Sequence, residues 1–260
     1  MKTAIAAYDP GSSLIHRFDP RAKLVAVAAF SVALFVRTSY WSLTVLGLAC
    51  LTGFALSHVP PRWFWRGLRP ILWLVAFTFV LQALFGPGEP LVRLGPLDIS
   101  REGVERAAYL SLRLIVLVVA GSLLTLTTPP VALTDGLAWL GRPLRKLHLP
   151  TEELALMVTI ALRFIPTLLA ELDTIMRAQR ARGADFSRGG PLRRARALVP
   201  LLVPLFVSAF RRADELALAM EARCYLPGVR RTRLHPLAAG RRDFLLLLSV
   251  AAIVTLALAV

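Results

Sequence analysis

Five apolar runs, each bounded by polar or charged loops, constrain the fold of this chain more than any other feature. They are Leu24–Val36, Trp41–Ser57, Ile71–Phe85, Ala107–Thr128 and Phe244–Val260. Such runs are typical of membrane-spanning helices, which need about 20 apolar residues to cross a bilayer. The first run is short, but Lys23 and Arg37 flank it and can extend it by reaching out to the headgroups. The sequence therefore predicts an all-α, polytopic membrane protein with about five transmembrane helices.

Positive charge is concentrated at the ends of these runs. The 260 residues carry 31 Lys and Arg against 16 Asp and Glu, and the formal net charge is +15. A basic excess is also typical of nucleic-acid-binding proteins, but basic residues beside apolar runs fit anionic headgroups better, so we expect no nucleic-acid partner. Residues 58–69, where Arg and aromatic residues alternate, are interpreted as an interfacial anchor for the same reason. The preference for Arg over Lys suits bidentate contacts to carboxylates on a partner, and genomic codon bias gives the same preference.

The loop charges predict an orientation. With the N-terminus inside the cytoplasm, five spans place the large Arg clusters of 58–69 and 129–242 inside as well. The loop 86–106 and the C-terminus then lie outside. That loop has no positive excess, because it holds four acidic residues against three Arg. We therefore divide the chain into an N-terminal region of four spans (1–128), a cytoplasmic helical region (129–242) and a C-terminal transmembrane helix (243–260).

Two long helices are predicted in the cytoplasmic region, at Leu154–Arg182 and Pro191–Arg223. Each has a proline-interrupted apolar half, acidic residues near its middle and a similar final triplet. The triplets are Ala181-Arg182-Gly183 and Ala222-Arg223-Cys224, 41 positions apart. Gly183 is suited to the left-handed residue that ends a helix, and the Arg before it complements the helix dipole. One Arg-Gly ending is a common cap, but two such tips on paired helices suit insertion into acidic grooves of another protein.

The sequence contains none of the common catalytic or phosphate-binding motifs. It has no G-x-x-x-x-G-K-[ST], G-x-S-x-G or H-E-x-x-H, and its four His lack metal-ligand spacing. We therefore predict no catalytic residues, no metal site and no bound cofactor. Two other classes stay open: a self-contained carrier or channel, which needs a polar midplane site, and a membrane enzyme, which needs a clustered acid, base or metal set.

One charge lies inside an apolar run. Arg113 stands six residues after Ala107, at the start of the fourth run. A charge within a span is expensive and often functional. A long side chain this close to the end of a span can also reach the outer interface. Both interpretations of Arg113 stay open at this point.

Several stretches carry a resemblance to a known family. They are Ser13–Lys23, Leu144–Pro150, Arg163–Thr167, Gln179–Gly183, and Arg212–Leu216 followed by Met220–Arg223. In these stretches the chain resembles the T component of energy-coupling factor (ECF) transporters. The resemblance spans nearly the whole chain, and the paired Ala-Arg-Gly signature is its most specific part.

The resemblance implies a non-catalytic membrane scaffold in a bacterial or archaeal cytoplasmic membrane. Such a scaffold links two ATP-binding-cassette ATPases, which hold ATP and Mg²⁺, to a separate substrate-binding membrane subunit (the S component) for a vitamin or a transition-metal ion. The long helices would be its coupling helices. The resemblance assigns ATPase docking to Ala181, Arg182 and Gly183 at one tip and to Ala222, Arg223 and Cys224 at the other.

The second triplet departs from the family pattern, because Cys224 stands in place of Gly. Cys adopts the left-handed conformation less readily than Gly does. We therefore expect the second helix to end with a different geometry from the first.

Overall fold

The part of the chain that the structure describes is helical, apart from one small hairpin. The computed structural model describes residues 11, 13–86, 90–94, 97–143, 150–184, 186, 190–226 and 240–259. The helices within these residues are α1 (Pro20–Val36), α2 (Tyr40–Ser57), α3 (Pro61–Phe85), α4 (Arg101–Thr127), α5 (Pro130–Leu140), α6 (Thr151–Ala181), α7 (Pro191–Ala222) and α8 (Arg241–Ala259). Strands β1 (Pro90–Leu94) and β2 (Leu97–Ser100) pair antiparallel between α3 and α4. The predicted helical fold is confirmed. The hairpin was not predicted, because strands this short carry too little alternation to be recognised.

The helices pack into two compact units. Unit 1 comprises Met1–Leu140 and His235–Val260, and unit 2 comprises Gly141–Leu234. Unit 1 therefore holds α1 to α5, the hairpin and α8, whereas unit 2 holds α6 and α7. The division into 1–128, 129–242 and 243–260 concerns roles and stays a prediction. By packing, α5 belongs with unit 1, because it lies against α1.

Three helix ends of unit 1 meet in a buried polar cluster, which we call the clasp: Asp19, Lys23, Thr127, Thr128 and Asp243. The Lys23 ammonium donates to the Thr127 carbonyl and the Thr128 hydroxyl, at 3.1 Å each. The Asp243 carboxylate accepts the Asp19 backbone N–H at 2.7 Å. The Thr127 carbonyl belongs to the last turn of α4, which lacks helical partners, so Lys23 caps that helix. The start of α1, the end of α4 and the start of α8 are thereby joined.

The start of α1 itself follows local rules. Asp19 accepts the Arg21 backbone N–H at 2.8 Å, and Pro20 occupies the first helical position. Both features are typical of a helix N-terminus. Asp19 is thus the N-cap of α1 as well as a member of the clasp.

A second set of hydrogen bonds joins the opposite end of unit 1. Arg37 donates to the Leu258 carbonyl at 2.6 Å, and the Tyr109 hydroxyl donates to the Arg37 carbonyl at 3.1 Å. The Tyr40 hydroxyl donates to the Glu105 carbonyl at 2.9 Å. Together with the clasp, these bonds make α1 and α8 parallel to each other and antiparallel to α4. Because Tyr40 opens α2, that helix runs in the direction of α4.

Helix α3 packs closely along α4 in the opposite direction. At the end of α3, the Gly86 carbonyl accepts a hydrogen bond from the hydroxyl of Ser100, the N-cap of α4, at 3.1 Å. The same hydroxyl accepts the Gly103 backbone N–H at 3.0 Å. A Cβ on Gly86 would collide with Gly103, so the two chains approach here without side chains between them.

The core of unit 1 lies between α1, α2, α4 and α8. Its buried residues are mostly apolar and come from all four helices: Phe30, Ala33, Leu34, Leu43, Leu46, Cys50, Tyr109, Val116, Val119, Ala120 and Ala257. Packing brings together residues that are up to more than 200 positions apart in the sequence, and no local sequence pattern predicts such contacts.

Among the described residues, five helices are long and apolar enough to cross a membrane: α2, the Gly67–Phe85 part of α3, α4, α6 and α8. The protein is therefore a multi-pass membrane protein, as predicted. Four of the predicted spans correspond to these helices. The two sets differ at one helix each. The predicted span in α1 is missing from the present set because α1 is shorter than 18 residues, and α6, which the sequence assigned to the cytoplasmic region, is included instead.

The packing of unit 1 explains the difference at α1. Helix α1 has 17 residues and runs parallel to the 19-residue α8. The two are joined at one end through Asp19 and Asp243 and at the other through Arg37 and Leu258. Helix α1 therefore extends along nearly the full length of α8, which is itself long and apolar enough to cross a membrane. We infer that α1 is a span despite its length.

The clasp holds the end of α4 and the start of α8 at the same end of unit 1. In unit 2, α6 is among the described helices that are long and apolar enough to cross a membrane, and α7 is not.

The clasp predicts a stability effect. Replacing Asp243 with Ala leaves the buried backbone N–H of Asp19 and the partly buried N–H of Gly240 without their acceptor. We expect Asp243→Ala to lower the free energy of unfolding by about 2–4 kcal/mol, measured by denaturant titration in mixed micelles. The exposed Asp173→Ala is the matched control and should change it by less than about 0.5 kcal/mol. Equal effects of the two variants would contradict a stabilising clasp.

Candidate functional site

The candidate site lies on α6 and α7, which form as long continuous helices. Helix α6 opens with Glu152 and Glu153 in its first turn, where carboxylates complement the helix dipole, and α7 opens with Pro191 at its first position. Both helices continue through internal prolines, at Pro166 in α6 and at two positions in α7. Each proline removes one backbone hydrogen bond from its helix. The two predicted long helices are confirmed.

The first tip ends in a Schellman motif. Gly183 has a φ of +87° and donates its N–H to the Arg180 carbonyl at 2.9 Å. The Ala184 N–H donates to the Gln179 carbonyl at 3.0 Å. These two bonds satisfy carbonyls that the last helical turn leaves without partners. The cap predicted at Gly183 is confirmed.

The second tip ends in the same motif. Cys224 has a φ of +55° and donates its N–H to the Glu221 carbonyl at 2.9 Å, and the Tyr225 N–H donates to the Met220 carbonyl at 3.0 Å. The expectation of a different ending at Cys224 is therefore wrong. The left-handed conformation costs a residue with a Cβ about 1–2 kcal/mol. Two backbone hydrogen bonds contribute about 1–3 kcal/mol together, which is enough to offset that cost.

The shared cap places the two arginines equivalently. Arg182 has φ and ψ of −84° and 6°, and Arg223 has −95° and 17°. All six residues of the two triplets are exposed. Within the described part of the chain, neither arginine has an ion pair or a side-chain hydrogen bond. Each tip thus presents a guanidinium that is available to a partner.

The left-handed residues can be tested as a matched set. A Cβ at position 183 would meet nothing within 4 Å, so Gly183→Ala should destabilise the tip by about 1 kcal/mol through the backbone alone. Cys224→Gly should stabilise the second tip by a similar amount, and Cys224→Ala should change little, because it keeps the Cβ. Hydrogen exchange at the Ala184 and Tyr225 amides measures these changes. The same exchange rate in Cys224→Gly and Cys224→Ala would contradict this account.

Helices α6 and α7 pack against each other and share one ion pair. Glu171 Oε2 lies 3.4 Å from Arg212 Nη2, and both side chains are partly buried. The Arg212 guanidinium also lies 5.8 Å from the centre of the Phe164 ring. Beside this pair is an open cleft of about 140 Å³ with mostly apolar walls, lined by Ile160, Phe164, Leu168, Ala209, Arg212, Ala213 and Leu216.

The ion pair stands at equivalent positions on the two helices. Glu171 precedes Arg182 by eleven residues, and Arg212 precedes Arg223 by eleven residues. At 1.5 Å per helical residue, each guanidinium-bearing tip is about 16 Å along its helix from the pair. The pair is thus offset by the same 41 positions as the two tips. The common offset of 41 was the sequence signal that could have linked Glu171 to Arg212.

Helix α7 also carries an uncovered apolar face. Val199, Val203, Phe206 and Phe210 follow the spacing of one helix face and are each more than half exposed. An exposed apolar stripe of this kind marks a surface that meets lipid or another protein.

The fold and site together define a multi-pass helical membrane protein that presents two arginine-tipped helices. A family model described as cobalt transport protein, CbiQ, matches residues 11–234. The chain is 50% identical over 239 residues to the energy-coupling factor transporter transmembrane protein EcfT of Thermosediminibacter oceani, covering 92% of this chain and 90% of that protein. It is 47% identical to EcfT of Heliobacterium modesticaldum (96% and 94% covered) and 45% identical to EcfT of Bacillus subtilis (95% and 93%). The chain belongs to the CbiQ family and is the transmembrane component of an energy-coupling factor transporter.

Proposed function

We propose that this chain couples two cytoplasmic ATP-binding-cassette ATPases to a substrate-binding membrane subunit. The observation that carries the proposal is the pair of equal helix arms, each ending in the same cap and an exposed guanidinium. A rigid helix with a planar guanidinium at its tip suits a bidentate contact with a carboxylate in a groove. Two equivalent tips suit two ATPases of the same kind.

In this proposal each tip docks on one ATPase. Arg182 and Arg223 form the charged contacts, while Ala181, Gly183, Ala222 and Cys224 keep the tips narrow. The tips face the cytoplasm, where ATP is available. With the N-terminus on that side, the span directions put the C-terminus outside.

The helix pair then converts ATPase motion into movement of the membrane subunit. Closure of the ATPases on ATP changes the distance between the two tips. Because the Glu171–Arg212 pair is about 16 Å from each tip, the arms act as levers of equal length about it. The proline-interrupted halves serve as joints. The exposed face of α7 with Val203, Phe206 and Phe210 is a candidate surface for the substrate-binding subunit.

The chemistry belongs to the partners in this proposal. ATP and Mg²⁺ bind to the ATPases, and this chain holds no cofactor, no metal and no catalytic residue. The vitamin or transition-metal ion is bound by the S component. A self-contained carrier or channel would instead transport without ATPases, and this difference is measurable in reconstituted vesicles.

Charge reversal at both tips tests the docking. We expect Arg182→Glu/Arg223→Glu to weaken ATPase association more than tenfold and to abolish ATP-dependent uptake, because the carboxylate contacts become repulsive. Co-purification and vesicle uptake measure the two effects, and the melting temperature should stay within a few degrees. Arg211→Glu, an exposed reversal far from the tips, is the matched control. Unchanged association in the double variant would overturn the docking proposal.

Charge exchange at the Glu171–Arg212 pair tests whether α6 and α7 act as levers about that pair. We expect Glu171→Arg to reduce the amount of substrate transported per ATP hydrolysed, because the new guanidinium at position 171 then repels that of Arg212. Glu171→Arg/Arg212→Glu should restore the ratio. The coupling free energy of this partly exposed pair should be about 0.5–1 kcal/mol in a double-mutant cycle. If the exchanged pair stays as impaired as Glu171→Arg, the ion pair has no role in coupling.

A further inference from the structure

We propose that Arg113 binds the phosphate group of a membrane lipid at the end of unit 1 where α1 ends. Arg113 lies inside α4 and is only 9% exposed. Its guanidinium carbon is 4.1 Å from the centre of the Phe35 ring, which covers it as a cation–π partner. Arg113 belongs neither to the docking tips nor to the Glu171–Arg212 pair.

The guanidinium has hydrogen-bonding capacity that the described residues leave unused. Its Nε and Nη2 atoms are buried and have no hydrogen-bond partner there. A buried cation without an anion is strongly unfavourable in an apolar setting. Residues 20–88 contain no Asp or Glu, and α4 contains none after Glu105, which pairs with Arg101 at 3.3 Å. The acid on α8, Asp243, belongs to the clasp at the opposite end. Because no described residue bonds to Nε or Nη2, the counter-anion comes from outside the described residues.

The depth of the site favours a lipid phosphate. Phe35 lies in the last turn of α1, next to the bond between Arg37 and Leu258 that closes this end of the bundle. Tyr40 and Trp41, which are 53% and 70% exposed, follow at the same end and are typical of a membrane interface. Phosphate groups are present at this level in every phospholipid membrane.

The chemistry of the site fits the same ligand. Phe35 is 62% exposed, so the side chain that covers the guanidinium lies on the outer surface of the helices. A rotation of that ring would give an anion access to the guanidinium. The planar guanidinium can donate two parallel hydrogen bonds to two phosphate oxygens. A carboxylate on a second membrane protein is the competing ligand, and it would require a buried acid at the matching depth in that protein.

Native mass spectrometry of the purified full chain tests the proposal. Titration with dioleoyl phosphatidylglycerol should reveal one phospholipid that is held more tightly than the rest. Arg113→Gln should weaken this binding about tenfold or more, because the charged pair of donors is lost. Arg101→Gln, at an exposed arginine of the same helix, should leave it unchanged. Inorganic phosphate should not displace the lipid at equal concentration if the headgroup and its acyl chains are both recognised.

Several results would overturn the proposal. One is a wild-type protein without any preferentially retained phospholipid, and this measurement needs no variant. Another is equal lipid binding by wild type and Arg113→Gln. If Arg113→Gln does not fold, Arg113→Lys replaces it, because Lys keeps the charge but loses the second parallel donor. An unchanged lipid affinity of Arg113→Lys would also contradict the proposal. If Arg113→Gln loses a co-purified membrane subunit but keeps its lipid, the ligand of Arg113 is a carboxylate of that subunit instead.

Discussion

The buried ammonium of Lys23 is the interaction on which the arrangement of the membrane helices depends. It donates to the carbonyl and hydroxyl of Thr127 and Thr128, 104 and 105 positions away, while Asp243 accepts from the backbone of Asp19 across 224 positions. A charged donor in an apolar setting requires acceptors, so these contacts permit very few alternative arrangements of the three helix ends. Together with the bond between Arg37 and the Leu258 carbonyl at the opposite end, the clasp makes α1 and α8 parallel to each other and antiparallel to α4.

The second unit has a symmetry of its own. The Glu171–Arg212 pair is equally far along the chain from both arginine tips. Two arms of equal length are what the proposed coupling function needs, because each tip then moves by the same amount about the pair. Comparison with the EcfT relatives establishes the class of protein, and this geometry is what supports the coupling role.

Cys224 illustrates how two local energies balance at the end of α7. A Gly at this position would adopt the left-handed conformation without a steric cost. The chain keeps the same two capping hydrogen bonds with Cys, and the two tips therefore differ in side chain but not in backbone geometry. Sequence reasoning weighed the steric cost alone. It left out the hydrogen bonds that the last helical turn gains by ending this way, and these decide the outcome.

The sequence by itself determined the helical class, the approximate bounds of the spans, the N-cap at Asp19 and both tip triplets. These features depend on apolar length, capping residues and spacing, which are local. The β-hairpin, the clasp, the alignment of α1 along α8 and the contact between Glu171 and Arg212 were decided only by the tertiary structure. Each of these joins residues from different elements, and the hairpin strands are too short to show their pattern. Arg113 lies between the two cases: its charge inside a span was visible in the sequence. Only packing showed that Phe35 covers it and that the described residues offer it no anion.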